Sequence, residues 1–247
     1  MSPPSTGSGA GQDRSVPRPG PVYGIADAGA LEGKRPADAA AAMARAGIDW
    51  IQLRAKDLTD LELYRQAVDC RRALEGTGAR FWLDDRPDVA LLARADGVHV
   101  GQDDLPPAVV RDLVGPAVWV GRSTHDRQQL LEADRDPEVD VIAVGPVYPT
   151  GSKEQPDPVV GLDFVRWARR ATAKPLVAIG GIGASTVADV LAAGADAAVV
   201  LSALCAGDVE ANARRLLHRA AEARTLRGPA ARQPEPDGQD LDDEGGT

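Results

Sequence analysis

The sequence predicts a single-domain (β/α)8 TIM barrel with disordered N- and C-terminal tails. Short β-branched runs alternate with alanine-rich helical patterns at a spacing of about 20–30 residues, the rhythm of βα units. Several runs are apolar throughout, as parallel strands covered on both faces are. Eight such units fit between residues 21 and 224, which suits a compact barrel. A doubly wound open sheet is the alternative. It would more naturally carry a Gly-rich loop after the first strand, where this chain has Asp27-Ala28-Gly29.

Val22–Asp27 reads as the first strand. Pro36–Ala46 follows as a helix, with Pro36 suited to its first turn and Gly47 to the position just past its end. Trp50–Leu53 is the second strand and Leu61–Leu74 the next helix. Strands then recur at Arg80–Leu83, Gly97–Val100, Val118–Gly121, Val141–Gly145, Leu176–Ile179 and Ala197–Leu201. Ala184–Ala193 is a helix ended by Gly194, and Val209–Arg224 closes the domain. Trp50, Trp82, Trp119 and Trp167 read as core or interlayer packing, and His99 as a hydrogen-bonded core residue.

Composition narrows the partners. A 43% hydrophobic share is enough for a sizeable core. The net charge of −9 argues against nucleic acid, whose binding rests on neutralising phosphates. Cys70 and Cys205 are too few for a disulfide framework or a four-cysteine zinc site, and read as small hydrophobes. Residues 1–20 hold four Gly, four Pro and four Ser, and residues 225–247 hold two Arg against six acids. Both segments are expected to be disordered tails around a 21–224 barrel. Neither a signal-peptide run nor a membrane span is apparent, so cytoplasmic localisation and small-molecule partners are expected. A homo-oligomer is compatible with the sequence.

Polar residues gather at the C-terminal ends of the strands, where a barrel keeps its chemistry. Gln52, Arg54 and Lys56 share one side if the second strand continues. Inward cations need an anionic ligand or a carboxylate. Ion pairing with Asp84 or Asp85 competes with ligand binding, and phosphate recognition favours the ligand. Asp85 and Asp104 end adjacent strands, a donor set suited to a hard cation such as Mg²⁺. Their other roles would be an Arg54 or Arg86 partner and a helix cap, with Asp103 the expected cap before Pro106-Pro107. Thr150-Gly151-Ser152-Lys153 offers hydroxyls and a cation. Gly180-Gly181, ahead of a helix beginning near Ser185, suits phosphate or close packing. His125, beside Ser123, is the acid–base candidate, and His218 on the last helix is expected to be inert.

In order, QLRAK, DDR, GVHVGQDDLP, GRSTH, GPVYPTGSK, AIGGI and VVLSA resemble the thiamine phosphate synthase family over essentially all of 21–224. The resemblance implies a (β/α)8 enzyme joining 4-amino-5-hydroxymethyl-2-methylpyrimidine diphosphate to thiazole phosphate, with diphosphate released. It implies that Gln52, Arg54 and Lys56 hold the pyrimidine diphosphate, with Asp85 and Asp104 on Mg²⁺. Ser123 and Lys153 would also contact that substrate, making Lys56, Ser123 and Lys153 the catalytic set. Thr150, Ser152, Gly181, Leu201 and Ser202 would receive the thiazole phosphate. Where the family usually has Asn-Asp, this chain has Asp84-Asp85, and the resemblance puts Asp84 at a substrate-binding position. The extra carboxylate costs about 4 kcal/mol against a like charge at ~4 Å before screening. Two rivals remain: a thiazole tautomerase using His125, and a non-catalytic phosphate-ligand sensor on the same barrel.

Overall fold

A computed structural model describes residues 16–151 and 157–227. Its strands are β1 (Val22–Asp27), β2 (Trp50–Arg54), β3 (Arg80–Asp84), β4 (Gly97–Val100), β5 (Trp119–Thr124), β6 (Val141–Val144), β7 (Leu176–Ile179) and β8 (Ala197–Val200). They pair in parallel and in sequence order, and β1 closes on β8. The closed barrel excludes the doubly wound sheet. Among the described residues, no helix is long and apolar enough to cross a membrane.

The helices are α1 (Pro36–Ala46), α2 (Asp60–Leu74), α3 (Pro87–Leu92), α4 (Pro107–Val114), α5 (Arg127–Arg135), α6 (Gly161–Ala171), α7 (Val187–Ala193), α8 (Ser202–Cys205) and α9 (Val209–Arg227). Pro36 begins α1 and left-handed Gly47 ends it, as the sequence suggests. Thr59 and Glu62 form a reciprocal capping box at α2. Asp103 does not cap α4: that helix starts behind Pro106, without a side-chain cap. Pro107 at its first turn already removes one donor needing an acceptor. Likewise α7 begins at Val187 rather than Ala184, because Gly183 N–H bonds Thr186 Oγ1 (3.0 Å) in a turn that delays the helix. Cys70 and Cys205 are free and buried.

Inside the barrel, Tyr23, Trp50, Trp82 and Trp119 form an aromatic plug, with ring centroids of Trp50 and Trp82 4.7 Å apart. Facing strands answer with small residues such as Ala143 and Ala197. Gly97 is required there: a Cβ would lie 2.5 Å from Trp82. Trp167 is outside this plug, packed on Phe164 within α6. Two residues further along β2 and β3 stand Gln52 and Asp84, His99 lies two beyond Gly97 and Ser123 four beyond Trp119, so the plug is the floor of the upper cavity.

The lower rim repeats every second strand. Asp49, Asp96, Asp140 and Asp196 each immediately precede an even-numbered strand. Their carboxylates accept N–H bonds from Gly20, Phe81, Val120 and Leu176, respectively, at 2.8–3.0 Å. Three also meet an arginine of an even-numbered helix: Arg71 on Asp96, Arg111 on Asp140 and Arg169 on Asp196. N–H groups at or beside the starts of the odd-numbered strands are thus satisfied by charge. Of the expected 1–20 tail, Arg18 pairs with Asp196 at 2.5 Å, while residues 1–15 lie outside the described residues.

Candidate active site

A cavity of about 990 Å³ opens at the C-terminal ends of the strands. Gln52, Arg54, Lys56, Asp84, Asp85 and Asp104 line one wall. Thr150, Gly181, Leu201 and Ser202 line it from β6, β7 and β8, and Ser123 stands between. Ser152 and Lys153 lie outside the described residues, as do 228–247 of the acidic tail.

The charged wall is an alternating ladder. Arg54 Nη1 contacts Asp27 Oδ2, and its Nε is 3.6 Å from Asp84. Lys56 reaches Asp84 at 3.8 Å and sits directly on Asp85. The ion-pairing alternative is therefore present, within the same cavity that the ligand reading requires. Burial pushes the Asp84 carboxyl up to about 6, against the pull of Lys56 and Arg54; Asp104 and Asp27 push the same way as burial. Asp84 and Asp85 both line the cavity, although adjacent strand residues should face opposite ways. The left-handed Asp85 (φ 57°) achieves this by turning the chain at the strand's end, where its N–H bonds the His99 carbonyl.

Gln52 donates to the Tyr23 hydroxyl (3.2 Å), and burial followed by the Asp84 charge holds that phenol well above its ordinary pKa. Asp104 Oδ2 accepts the Gly101 N–H (2.8 Å), which pins the loop after β4. Arg122 binds the Gly101 carbonyl, and Gln102 donates to the Ser123 carbonyl, tying that loop to β5. Among the described residues, no group of three or more His, Cys, Asp or Glu is placed to hold a metal by itself. Asp85 and Asp104 can supply two hard oxygen ligands, with the remaining coordination left to water and substrate.

His99 is hydrogen-bonded as expected, with Nε2 3.0 Å from Ser123 Oγ, but it also faces the cavity. Burial, aided by Arg122, lowers it to about 4, so it is neutral at pH 7. His125 Nδ1 is 2.7 Å from the Gly145 carbonyl and must carry the proton there; its Nε2 lies 3.5 Å from Asp157. His218 is exposed and paired with Glu222 on α9.

Gly181, at φ 63°, has no room for a side chain: a Cβ would be 2.5 Å from the Pro149 carbonyl oxygen. Close packing thus accounts for this glycine, against the loop after β6 rather than a helix, while its backbone still faces the cavity. Sequence reasoning passed over Asp27 and the cavity face of His99. Both lie in phase with inward neighbours, a period-two signal that was available for His99.

Residues 22–204 match the family described as thiamine monophosphate synthase. A thiamine-phosphate synthase of Methanoculleus marisnigri is 42% identical over 204 residues, covering 82% of this chain and 96% of that protein. One of Koribacter versatilis is 46% identical over 158 residues, covering 64% and 74%. The solved thiamine phosphate pyrophosphorylase of Pyrococcus furiosus superposes with a TM-score of 0.74 at 30% identity, covering 82% of this chain and 96% of its own.

Proposed function

Because the chain belongs to the thiamine monophosphate synthase family, we propose that it is a transferase joining the pyrimidine diphosphate to thiazole phosphate. The products are thiamine phosphate and diphosphate. One observation carries this reading: a single cavity has a cation-bearing wall on β2–β4 and a glycine and hydroxyl wall on β6–β8. Two phosphorylated molecules can therefore meet end to end.

The reaction breaks the bond between a benzylic-type carbon and the diphosphate oxygen, then forms a bond from the thiazole nitrogen to that carbon. An electron-rich aminopyrimidine stabilises positive charge at the carbon, so the protein's task is to hold the departing diphosphate. Arg54 and Lys56 face that group as preorganised charge, with Ser123 as a hydroxyl partner and Lys153 assigned there by the resemblance. Gln52, fixed by its bond to the Tyr23 hydroxyl, is assigned to the pyrimidine diphosphate by the resemblance. Asp85 and Asp104 fit Mg²⁺, which would supply further positive charge to the leaving group. Thr150, Ser152, Gly181, Leu201 and Ser202 take the thiazole phosphate and align its nitrogen, so the step gains from positioning. The cytoplasm is the proposed compartment, in keeping with two free buried cysteines.

The test is incubation with both substrates and Mg²⁺, with mass detection of thiamine phosphate. Product that disappears on adding EDTA supports the reading. EDTA-insensitive turnover of thiazole phosphate alone would instead support a tautomerase acting through His125. Binding of thiazole phosphate without product would make the protein a sensor.

A further inference from the structure

Asp27, at the end of β1, has no part in the reaction just described. It is nevertheless more enclosed than its neighbours, with a side chain 7% exposed against 16% for Asp84 and 19% for Asp85. It stands behind Arg54 rather than on the cavity wall. Asp27 and Arg54 face one another in the β1–β2 register, and the Ala28 N–H donates to the Arg54 carbonyl at 2.9 Å. Asp27 Oδ1 accepts the Ala30 N–H at 2.9 Å, which fixes the carboxylate in rotation. Its Oδ2 takes Arg54 Nη1, while Asp84 stands 3.6 Å from Nε on another edge of the guanidinium.

A long cation that stays free until its ligand arrives loses rotamer entropy on binding. One held by a buried carboxylate has already lost it in folding, and presents its remaining N–H groups in place. The planar fork of arginine suits such double use, since one edge can pair while another donates. We propose that Asp27 is the positioning residue that presents Arg54 to the diphosphate of the substrate. The first strand thereby contributes to diphosphate binding through a side chain that does not touch it. This rests on the reading that Arg54 faces a diphosphate.

Calorimetry with inorganic diphosphate and Mg²⁺ tests it on the wild type, Asp27→Asn, Arg54→Ala and the double variant. Asn keeps an acceptor for Ala30 N–H and removes the charge that holds Arg54. Asp27→Asn should weaken diphosphate binding roughly tenfold. Arg54→Ala should weaken it at least as much, and the double variant no further. In steady state, Asp27→Asn should raise the KM for the pyrimidine diphosphate and leave that for thiazole phosphate unchanged. Arg54→Ala alone should melt lower than the double variant, because it strands a buried charge. Losses that add in the double variant, or wild-type affinity in Asp27→Asn, overturn the positioning role alone. A wild-type protein that fails to bind diphosphate overturns the reading beneath it as well.

Discussion

At the lower rim of the barrel, each of four aspartates is answered by a backbone N–H at 2.8–3.0 Å, and three of them also by an arginine. At the upper rim, Asp27, Asp84 and Asp85 share Arg54 and Lys56, and Asp84 meets both cations at more than 3.5 Å. The residue types are the same, and the degree of satisfaction differs. Below, charge satisfies backbone N–H groups at or beside the starts of the odd-numbered strands, so it contributes stability. Above, carboxylates crowd a cavity, and burial lifts Asp84 to about 6. An incompletely answered charge cluster is costly in the empty protein and suited to a charged ligand.

The largest expected effect lies below. Arg111 bridges Asp140, Glu138 and the Val118 carbonyl with its side chain buried, so Arg111→Ala should cost about 3–5 kcal/mol in denaturant unfolding. The kcat/KM of the folded fraction should be unchanged; a loss of kcat/KM matching the loss of stability would erase the division between rims. Above, Asp85→Ala should lower turnover roughly 100-fold or more while leaving the melting temperature near that of the wild type. Near-wild-type rates would refute the assignment of Asp85. Lys153→Ala is expected to behave similarly.

His99 sharpens the comparison through pH. Its folded pKa near 4 lies below the ordinary 6.5, so the folded state binds fewer protons than the unfolded one between those values. Its contribution is complete above pH 6.5 and is lost as pH falls toward 4, by up to about 3 kcal/mol. The wild type should therefore lose stability relative to His99→Gln across this window, whereas parallel curves would show that burial does not disfavour the imidazolium. The smallest effect is expected for Asp84→Asn, which removes one negative charge beside the diphosphate. Titration with diphosphate should show binding tighter by about tenfold or less, since Arg54 and Lys56 already screen that charge. Weaker binding would mean that Asp84 holds the two cations in place.

Much of the upper rim was legible because strand ends in a barrel have a known destination. Once Trp50–Arg54 is a strand, Gln52 and Arg54 must point inward and Lys56 follows their line. The helix α1 and strand β1 were legible to their last residue, since Pro36, Gly47 and a closed apolar run mark their limits. Asp27 was not, because its partner is 27 residues away and only the β1–β2 register brings them together. Nor was the turn at Asp85: a left-handed aspartate has no local signature, and strand alternation would have sent it away from the cavity. The lower girdle does leave a trace, an Asp directly before Trp50, Gly97, Val141 and Ala197. It becomes meaningful when strand starts are known well enough to ask which N–H groups lack partners.

By itself, the sequence determined the alternation of strands and helices, the closure into eight units and the residue types gathered at one end. These follow from hydrophobic period and from short-range chain geometry, which each segment carries alone. The tertiary structure decided which charges meet. Ion pairing falls off with distance and depends on burial, and both are set by the stagger of strands that lie far apart in the chain.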